Sequence, residues 1–162
     1  MARATTKTSY AIAIGSNRRG RHGAPVREVA AAVRALRHVV AVAPVVTSAP
    51  VGPSSRQYAN GAVLVRSRRD PPAMLAKLKR IEARFGRRPG QRWGARVIDL
   101  DIILWSGGIW ASAGLSIPHP AFRARAFVLR PLKGIVPDWR DPIGGRRVRH
   151  LAALVDRRAP RP

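Results

Sequence analysis

Two acidic residues, Asp99 and Asp101, stand two positions apart inside the apolar stretch 97–104. In a β-strand this spacing places both side chains on one face, with their Cα atoms about 7 Å apart. Two carboxylates at that distance repel each other unless a cation lies between them, and Mg²⁺ prefers a few carboxylates together with water and substrate phosphates. The pair therefore predicts a magnesium site, the alternative being incidental acids on an exposed strand face.

A basic loop immediately precedes the two aspartates. Residues 87–96 contain four arginines, two glycines and Trp93. Guanidinium groups can neutralise a polyphosphate through forked hydrogen bonds, and the indole offers a flat stacking surface. Taken alone, this loop could also be a solvated basic segment. A metal site beside a cationic loop, however, is typical of phosphoryl transfer.

His119 lies between Pro118 and Pro120. Two prolines stiffen this loop, so that the imidazole could be aimed at a phosphate oxygen. A lone histidine with a purely structural role is the alternative.

The elements that must position these residues follow from the spacing of apolar side chains. Alternation predicts strands over 9–14, 39–47, 58–67 and 97–105, and a short returning strand at 109–111. Helical spacing predicts helices from Pro25 and from Pro71, and short helices over 122–132 and 148–155. This order indicates an α+β fold, a ferredoxin-like split βαβ with an antiparallel sheet and additional C-terminal helices. Two helices should cover one face of the sheet and leave the other for the C-terminal elements or a ligand.

Length and composition exclude several classes of protein. The 162 residues suit one domain, 1–162, with a core over about 9–155 and flexible termini at 1–8 and 157–162. The absence of cysteine excludes a disulfide scaffold, a thiolate metal site and a cysteine nucleophile. No apolar run approaches the ~20 residues of a membrane span. The net charge of +23 should attract polyanions, unless it reflects a general preference for arginine.

Four motifs, in order, carry a resemblance to one family. Residues 92–102 read R-W-G-A-R-V-I-D-L-D-I, which resembles the R-W-G-P-R-x-x-D-L-D-I signature of the 6-hydroxymethyl-7,8-dihydropterin pyrophosphokinases of folate biosynthesis. A-I-G-S-N at 13–17, Q-Y-A-N at 57–60, and I-P-H-P at 117–120 followed by R-A-F-V-L at 125–129 match the family's other landmarks. The chain departs from the family pattern at Ala95, at Ser48-Ala49 and at Gly114, and none of these departures removes a metal ligand.

The resemblance implies an ATP-dependent diphosphotransferase that moves a diphosphate from ATP to the hydroxymethyl group of the pterin and releases AMP. Asp99 and Asp101 match the ligands of two Mg²⁺ ions. The implied ATP-binding residues are Glu82, Arg87, Arg92, Arg96, Ile102, Ser116, His119 and Arg125. Among them, the implied catalytic residues are Arg87, Arg92, Arg96 and His119. No general base is assigned, because positioning and charge neutralisation can carry most of the barrier reduction in such transfers.

The resemblance also implies a pterin site. Its residues are Ser48, Ala49, Val51, Tyr58, Asn60, Trp93 and Phe127. A flat pterin ring suits a place between two aromatic side chains, and its amide edge suits an asparagine. The implied partners are the two small-molecule substrates, ATP and the pterin, with no membrane and no specific nucleic acid. We expect a monomer in the cytoplasm.

Two other functions remain open at the level of sequence. A basic ferredoxin-like module could bind RNA, although aromatic residues make up only 6% of the chain and an acidic pair would repel a phosphate backbone. An ATP-dependent enzyme acting on another small alcohol would share the aspartates and the arginines. Formation of AMP from ATP, Mg²⁺ and the reduced pterin would support the pyrophosphokinase, whereas ADP would indicate ordinary phosphoryl transfer and exclude it.

Overall fold

The structure is a computed structural model that describes residues 6–48, 57–87 and 96–158. In chain order its elements are β1 (Thr8–Ser16), α1 (Pro25–Leu36), β2 (Val39–Val42), β3 (Val46–Ser48), β4 (Tyr58–Ser67), α2 (Pro71–Arg84), β5 (Asp99–Trp105), β6 (Trp110–Ser112), β7 (Leu115–Ile117), a 3₁₀ turn (Phe122–Ala124), α3 (Ala126–Lys133) and α4 (Val148–Arg158).

The main sheet is antiparallel throughout and has the strand order β2-β4-β1-β5, with β3 also paired to β4. Strand β4 lies between β1 and β2, which is the split βαβ arrangement, and the predicted fold class is confirmed. The single strand predicted over 39–47 is wrong. It is two strands, because Pro44 has no N–H with which to continue the ladder on β4.

The returning strand predicted at 109–111 begins one residue later and has a different partner from the one expected. Residues 110–112 form β6, which pairs with β7 in a separate two-stranded sheet and not with β5. Beyond β7, the predicted stretch 122–132 is a 3₁₀ turn followed by α3. Helix α4 runs to Arg158, two residues into the terminal segment 157–162 that we expected to be flexible.

The two faces of the sheet pack against different helices. Alternation along β1 sends Tyr10, Ile12 and Ile14 into the core formed with α1 and α2. Ala11 faces the second core, which contains residues of α3 and α4. The C-terminal helices therefore cover the face that the first two helices leave open, as predicted.

A β-bulge in β5 decides which side chains reach each face. Ala11 and Ile12 of β1 oppose Leu104 and Ile102, so Ile103 is an extra residue between them. On the N-terminal side of the bulge, Leu100 and Ile102 of β5 point into the core formed with α1 and α2. Asp99 and Asp101, which alternate with Leu100 and Ile102 along the strand, must therefore point to the opposite face, the face of α3.

Helix α2 begins and ends as predicted. The Asp70 carboxylate accepts a hydrogen bond from the backbone N–H of Ala73 at 2.9 Å, and Pro71 occupies the first turn. Gly86, with φ +92°, ends the helix in a conformation that side chains rarely adopt. Within the part of the chain that the structure describes, no helix is long and apolar enough to cross a membrane.

Candidate active site

The two aspartates lie opposite the smallest residues of β1. Asp101 pairs with Ala13 and Asp99 with Gly15 across the β1–β5 ladder. On the other side of β1, Gly15 pairs with Asn60 of β4. Since paired residues share a face, the carboxylates and the Asn60 amide lie on one face, with almost no side chain between them. The small residues of β1 leave open space there.

That space is a cavity of about 410 Å³. Among the residues predicted from the sequence, it is lined by Tyr58, Asn60, Arg96, Asp99, Asp101, Arg125 and Phe127. Tyr58 and Phe127 are 38% and 52% exposed as whole residues, and both line the cavity, where a flat ligand could contact their rings. Arg125, which the resemblance implies at the ATP site, also lines this cavity, and its guanidinium carbon is 5.7 Å from the centre of the Phe127 ring.

A second cavity, of about 350 Å³, lies on the other side of Asp101. It is lined by three residues predicted at the ATP site, Ile102, Ser116 and His119. Leu75 and Lys79, which the sequence reasoning missed, also line it from α2. Their spacing of four residues on one helical stripe, leading on to Glu82, is the signal that could have identified them. Asp101 borders both cavities, so it marks the place where they meet.

Asp99 accepts hydrogen bonds from two arginines, Arg87 and Arg96, which precede and follow residues 88–95 along the chain. The Nη1 atoms of Arg87 and Arg96 each donate to Oδ1 of Asp99 at 3.0 Å. Nη1 of Arg87 also donates to Oε2 of Glu82 at 2.6 Å. The two guanidinium groups converge on one oxygen, where phosphate groups beside Asp99 would also accept their hydrogen bonds.

Glu82 lines neither cavity, although the resemblance implied a place at the ATP site. Its side chain is 1% exposed, and its Oε1 accepts a hydrogen bond from the backbone N–H of Leu100 at 2.9 Å. Strand β5 is at the edge of the sheet, so an amide on its outer side needs a partner from elsewhere. Glu82 provides that partner and joins α2 to the residue between the two aspartates.

Asp101 differs from every other acidic side chain. The protein has only 8 acidic residues against 31 basic ones. Within residues 6–48, 57–87 and 96–158, which include all of the acids, Asp101 alone forms no hydrogen bond and no ion pair through its carboxylate. Burial raises the pKa of Asp101, and the nearby Asp99 raises it further. A carboxylate left unpaired amid such an excess of cations is suited to a metal ion.

The donors at this site fit Mg²⁺. In the described residues no group of three or more acidic or histidine side chains is placed to hold a metal. Two carboxylates suffice for Mg²⁺, because it keeps several waters and takes further oxygens from substrate phosphates. Asp99 and Asp101 offer hard oxygen ligands side by side on a rigid strand.

His119 is fixed by its backbone and by one ring nitrogen. Its N–H donates to the carbonyl of Ile103 at 3.0 Å, and its Nδ1 accepts from the N–H of Ala121 at 3.1 Å. In the neutral ring the proton is therefore on Nε2, which can donate to an oxygen in the second cavity. Burial lowers the pKa of His119, while Asp101 raises it.

The remaining predicted residues are distributed as follows. Ser48 ends β3 and pairs with Tyr58, which lines the first cavity. Ala49, Val51, Arg92 and Trp93 lie outside the described residues.

Comparison with known proteins accords with this geometry. The family model of 7,8-dihydro-6-hydroxymethylpterin-pyrophosphokinase matches residues 11–137, well over half of the chain. The chain belongs to this family. The family predicted from the sequence is thus confirmed.

Two relatives named 2-amino-4-hydroxy-6-hydroxymethyldihydropteridine pyrophosphokinase show how far the family likeness extends. The Pseudomonas aeruginosa protein is 36% identical over 150 residues, 89% of this chain and 88% of its own. The Synechocystis protein is 43% identical over 105 residues, 65% of this chain and 54% of its own.

Solved structures share the fold of this chain. A crystal structure of a Plasmodium falciparum HPPK-DHPS triple mutant matches with a TM-score of 0.75 at 14% sequence identity, over 97% of this chain and 46% of that one. A second variant of the same protein matches with a TM-score of 0.73 at 14% identity. The chain spans about half the length of these solved chains, and at this identity the likeness concerns the fold alone.

Proposed function

We propose that the protein transfers a diphosphate group from ATP to the hydroxymethyl group of 6-hydroxymethyl-7,8-dihydropterin, giving the pterin diphosphate and AMP. The observation that supports this most directly is the position of Asp101, an unpaired carboxylate that borders two cavities at once. A group transferred between ligands in the two cavities must pass the aspartate pair. Family membership supports the choice of the two substrates.

The first cavity suits the pterin. The rings of Tyr58 and Phe127 offer apolar faces, and the Asn60 amide can both donate to and accept from the amide edge of a pterin. The hydroxymethyl group would then point along the cavity toward Asp99 and Asp101. We assign Trp93, with Ser48, Ala49 and Val51, to the same site on the motif resemblance.

The second cavity suits the nucleotide. Ile102, Leu115 and Leu75 give it apolar walls for a purine, while Ser116 and His119 bring polar atoms to the same space. The Lys79 ammonium and the two guanidinium groups at Asp99 supply positive charge on the phosphate side.

We propose that Asp99 and Asp101 hold two Mg²⁺ ions together with the phosphates of ATP. When bound, these ions would neutralise the phosphate oxygens and align the triphosphate. Arg87 and Arg96 would exchange their hydrogen bonds to Asp99 for bonds to phosphate oxygens, and Nε2 of His119 would donate to another. We assign Arg92 and Arg125 to phosphate contacts of the same kind, on the motif resemblance.

The transfer itself makes one bond and breaks one. The pterin hydroxyl oxygen attacks the β-phosphorus of ATP, the bond from that phosphorus to the α–β bridging oxygen breaks, and AMP leaves with that oxygen. The hydroxyl proton passes to solvent or to a phosphate oxygen. The protein contributes alignment of the two substrates across the aspartate pair and neutralisation of the charge that shifts to AMP.

The decisive experiment mixes the protein with ATP, Mg²⁺ and the reduced pterin and identifies the nucleotide product. We expect AMP in equal amount to the pterin diphosphate, and neither product without the pterin. ADP would indicate ordinary phosphoryl transfer and would exclude the proposal. AMP formed with another small alcohol, but not with the pterin, would establish the alternative enzyme.

We also propose that the protein acts as a monomer in the cytoplasm, where ATP is supplied. The described residues that line the two cavities come from one chain, which supports the monomer. Light scattering behind a sizing column, with and without both substrates, tests the oligomeric state. A stable dimer at micromolar protein would exclude the monomer.

A further inference from the structure

Glu28 is a buried carboxylate that the proposed reaction does not use. It lies in the first turn of α1 and is 0% exposed. Its Oε1 accepts from the backbone N–H groups of His22 at 2.7 Å and Gly23 at 3.2 Å, and its Oε2 is 2.9 Å from Nδ1 of His22. Burying a carboxylate is costly unless hydrogen bonds replace its water. Here all of them come from the loop of residues 17–24, so the loop conformation and the burial of Glu28 depend on each other.

One end of this loop is joined to Arg96. Asn17 accepts the Arg96 N–H on its side-chain oxygen at 2.7 Å and donates its own N–H to the Arg96 carbonyl at 3.1 Å. Gly20 is pressed between Glu28 and Val97, where a Cβ atom would come within 2.6 Å of Oε1 and 2.5 Å of a Val97 methyl group. The loop therefore holds the backbone from which the Arg96 guanidinium reaches Asp99.

The other end of the loop is joined to the end of α2. The His22 ring lies 5.0 Å from the ring of Phe85, between ring centres. Phe85 follows the last turn of α2, and Arg87 is two residues further on. The imidazole thus connects Glu28 to the segment that places the second guanidinium at Asp99.

We infer that Glu28 and His22 are positioning residues for the two arginines, because they fasten loop 17–24 against both Arg96 and the end of α2. Both guanidinium groups meet at one oxygen of Asp99, so small backbone shifts at either anchor would separate them. Their effect on catalysis rests on the proposed function. Their effect on the loop does not.

Hydrogen exchange tests the loop without any substrate. In Glu28→Ala we expect the amides of Asn17 and Arg96 to exchange at least about 10-fold faster, while core amides of β4 stay unchanged. Asp156→Ala removes an exposed carboxylate from α4 and serves as the matched control. Unchanged exchange at both amides would overturn the inference. If Glu28→Ala does not fold, His22→Ala carries the same test, since that side chain is 32% exposed.

Kinetics then test the link to Arg96. Glu28→Ala should lower kcat by about 10- to 100-fold and change the KM for the pterin much less, because the arginines move while Tyr58 and Phe127 keep their places in the first cavity. Glu28→Gln should restore most of kcat, since its amide oxygen still accepts from the loop and its N–H can donate to Nδ1 of the neutral His22.

The same loss should become clearly smaller when Arg96 is already alanine, because Glu28 would then position only Arg87. An undiminished loss in the Arg96→Ala background would show a general structural role and overturn the inference. Absence of AMP from the unmodified protein would instead refute the proposed function, and the exchange experiment would still decide the inference about the loop.

Discussion

Replacing Glu82 by alanine should destabilise the protein and disturb the aspartate pair together. The substitution leaves the buried N–H of Leu100 without an acceptor, which costs about 1–3 kcal/mol. It removes a buried methylene, worth about 1 kcal/mol. The lost pair with Arg87 adds about 1 kcal/mol or less, because the Arg87 side chain is 23% exposed and remains paired with Asp99. The sum is about 3 kcal/mol, and for a domain of this size it corresponds to a Tm about 6–12 °C lower.

Glu82→Gln separates the two roles of this carboxylate. Its amide oxygen can still accept the Leu100 N–H, but its NH₂ group cannot accept from Arg87. We expect a loss of about 1 kcal/mol in stability, and a smaller fall in kcat than in Glu82→Ala. The fall in the alanine variant follows because Leu100 lies between the two aspartates, and a displacement of about 1 Å can lower the rate about 100-fold.

The assay is urea unfolding at pH 7, combined with AMP formation at saturating substrates. Asp138→Ala, which removes an exposed carboxylate paired with Arg147 and Arg149, is the matched control and should change stability by less than about 1 kcal/mol. If Glu82→Gln loses as much stability as Glu82→Ala, the hydrogen bond to Leu100 is not the stabilising interaction and the reasoning is wrong.

Three further predictions follow from the same geometry. Asp101→Asn should lower kcat by orders of magnitude and keep or slightly raise Tm in metal-free buffer. Asp99→Asn should lower both kcat and Tm, because it also loses its two arginine partners. Normal turnover of either variant in saturating Mg²⁺ would refute the role of that aspartate. Asp141→Asn should cost about 2 kcal/mol at pH 7, less than for a fully buried pair because Arg123 is 34% exposed. The Arg123 guanidinium holds the pKa of Asp141 below its usual value, so this stabilisation is complete above about pH 4 and is lost as the pH falls through the folded-state pKa. Unfolding curves in which the variant stays equally far below the parent protein at pH 2 would contradict that. Phe127→Ala should weaken pterin binding by about 1 kcal/mol and leave binding of an ATP analogue unchanged, as calorimetric titration with each ligand can check.

Most of the correct predictions rested on patterns within a few neighbouring residues of the sequence. Alternation alone placed Tyr58 beside Asn60 and Asp99 beside Asp101, because side chains two apart on a strand share a face whatever the strand packs against. The start of α2 at Asp70-Pro71 was equally local, since the cap and the proline act within one turn. The motif 92–102, with the three motifs around it, was enough to identify the family.

Tertiary structure decided what no local pattern contains. Pairing of β1 with β5 sets Ala13 and Gly15 opposite the aspartates and so opens the first cavity, and register between distant strands depends on the whole sheet. The same applies to Glu82, which binds the amide of Leu100 from 18 residues away, and to Arg125, which lies beside Phe127 in the first cavity. That Asp101 alone among the described acids has no partner also required the structure. Sequence determines which groups are present and which face of a strand they share, whereas partners distant along the chain are determined only by packing.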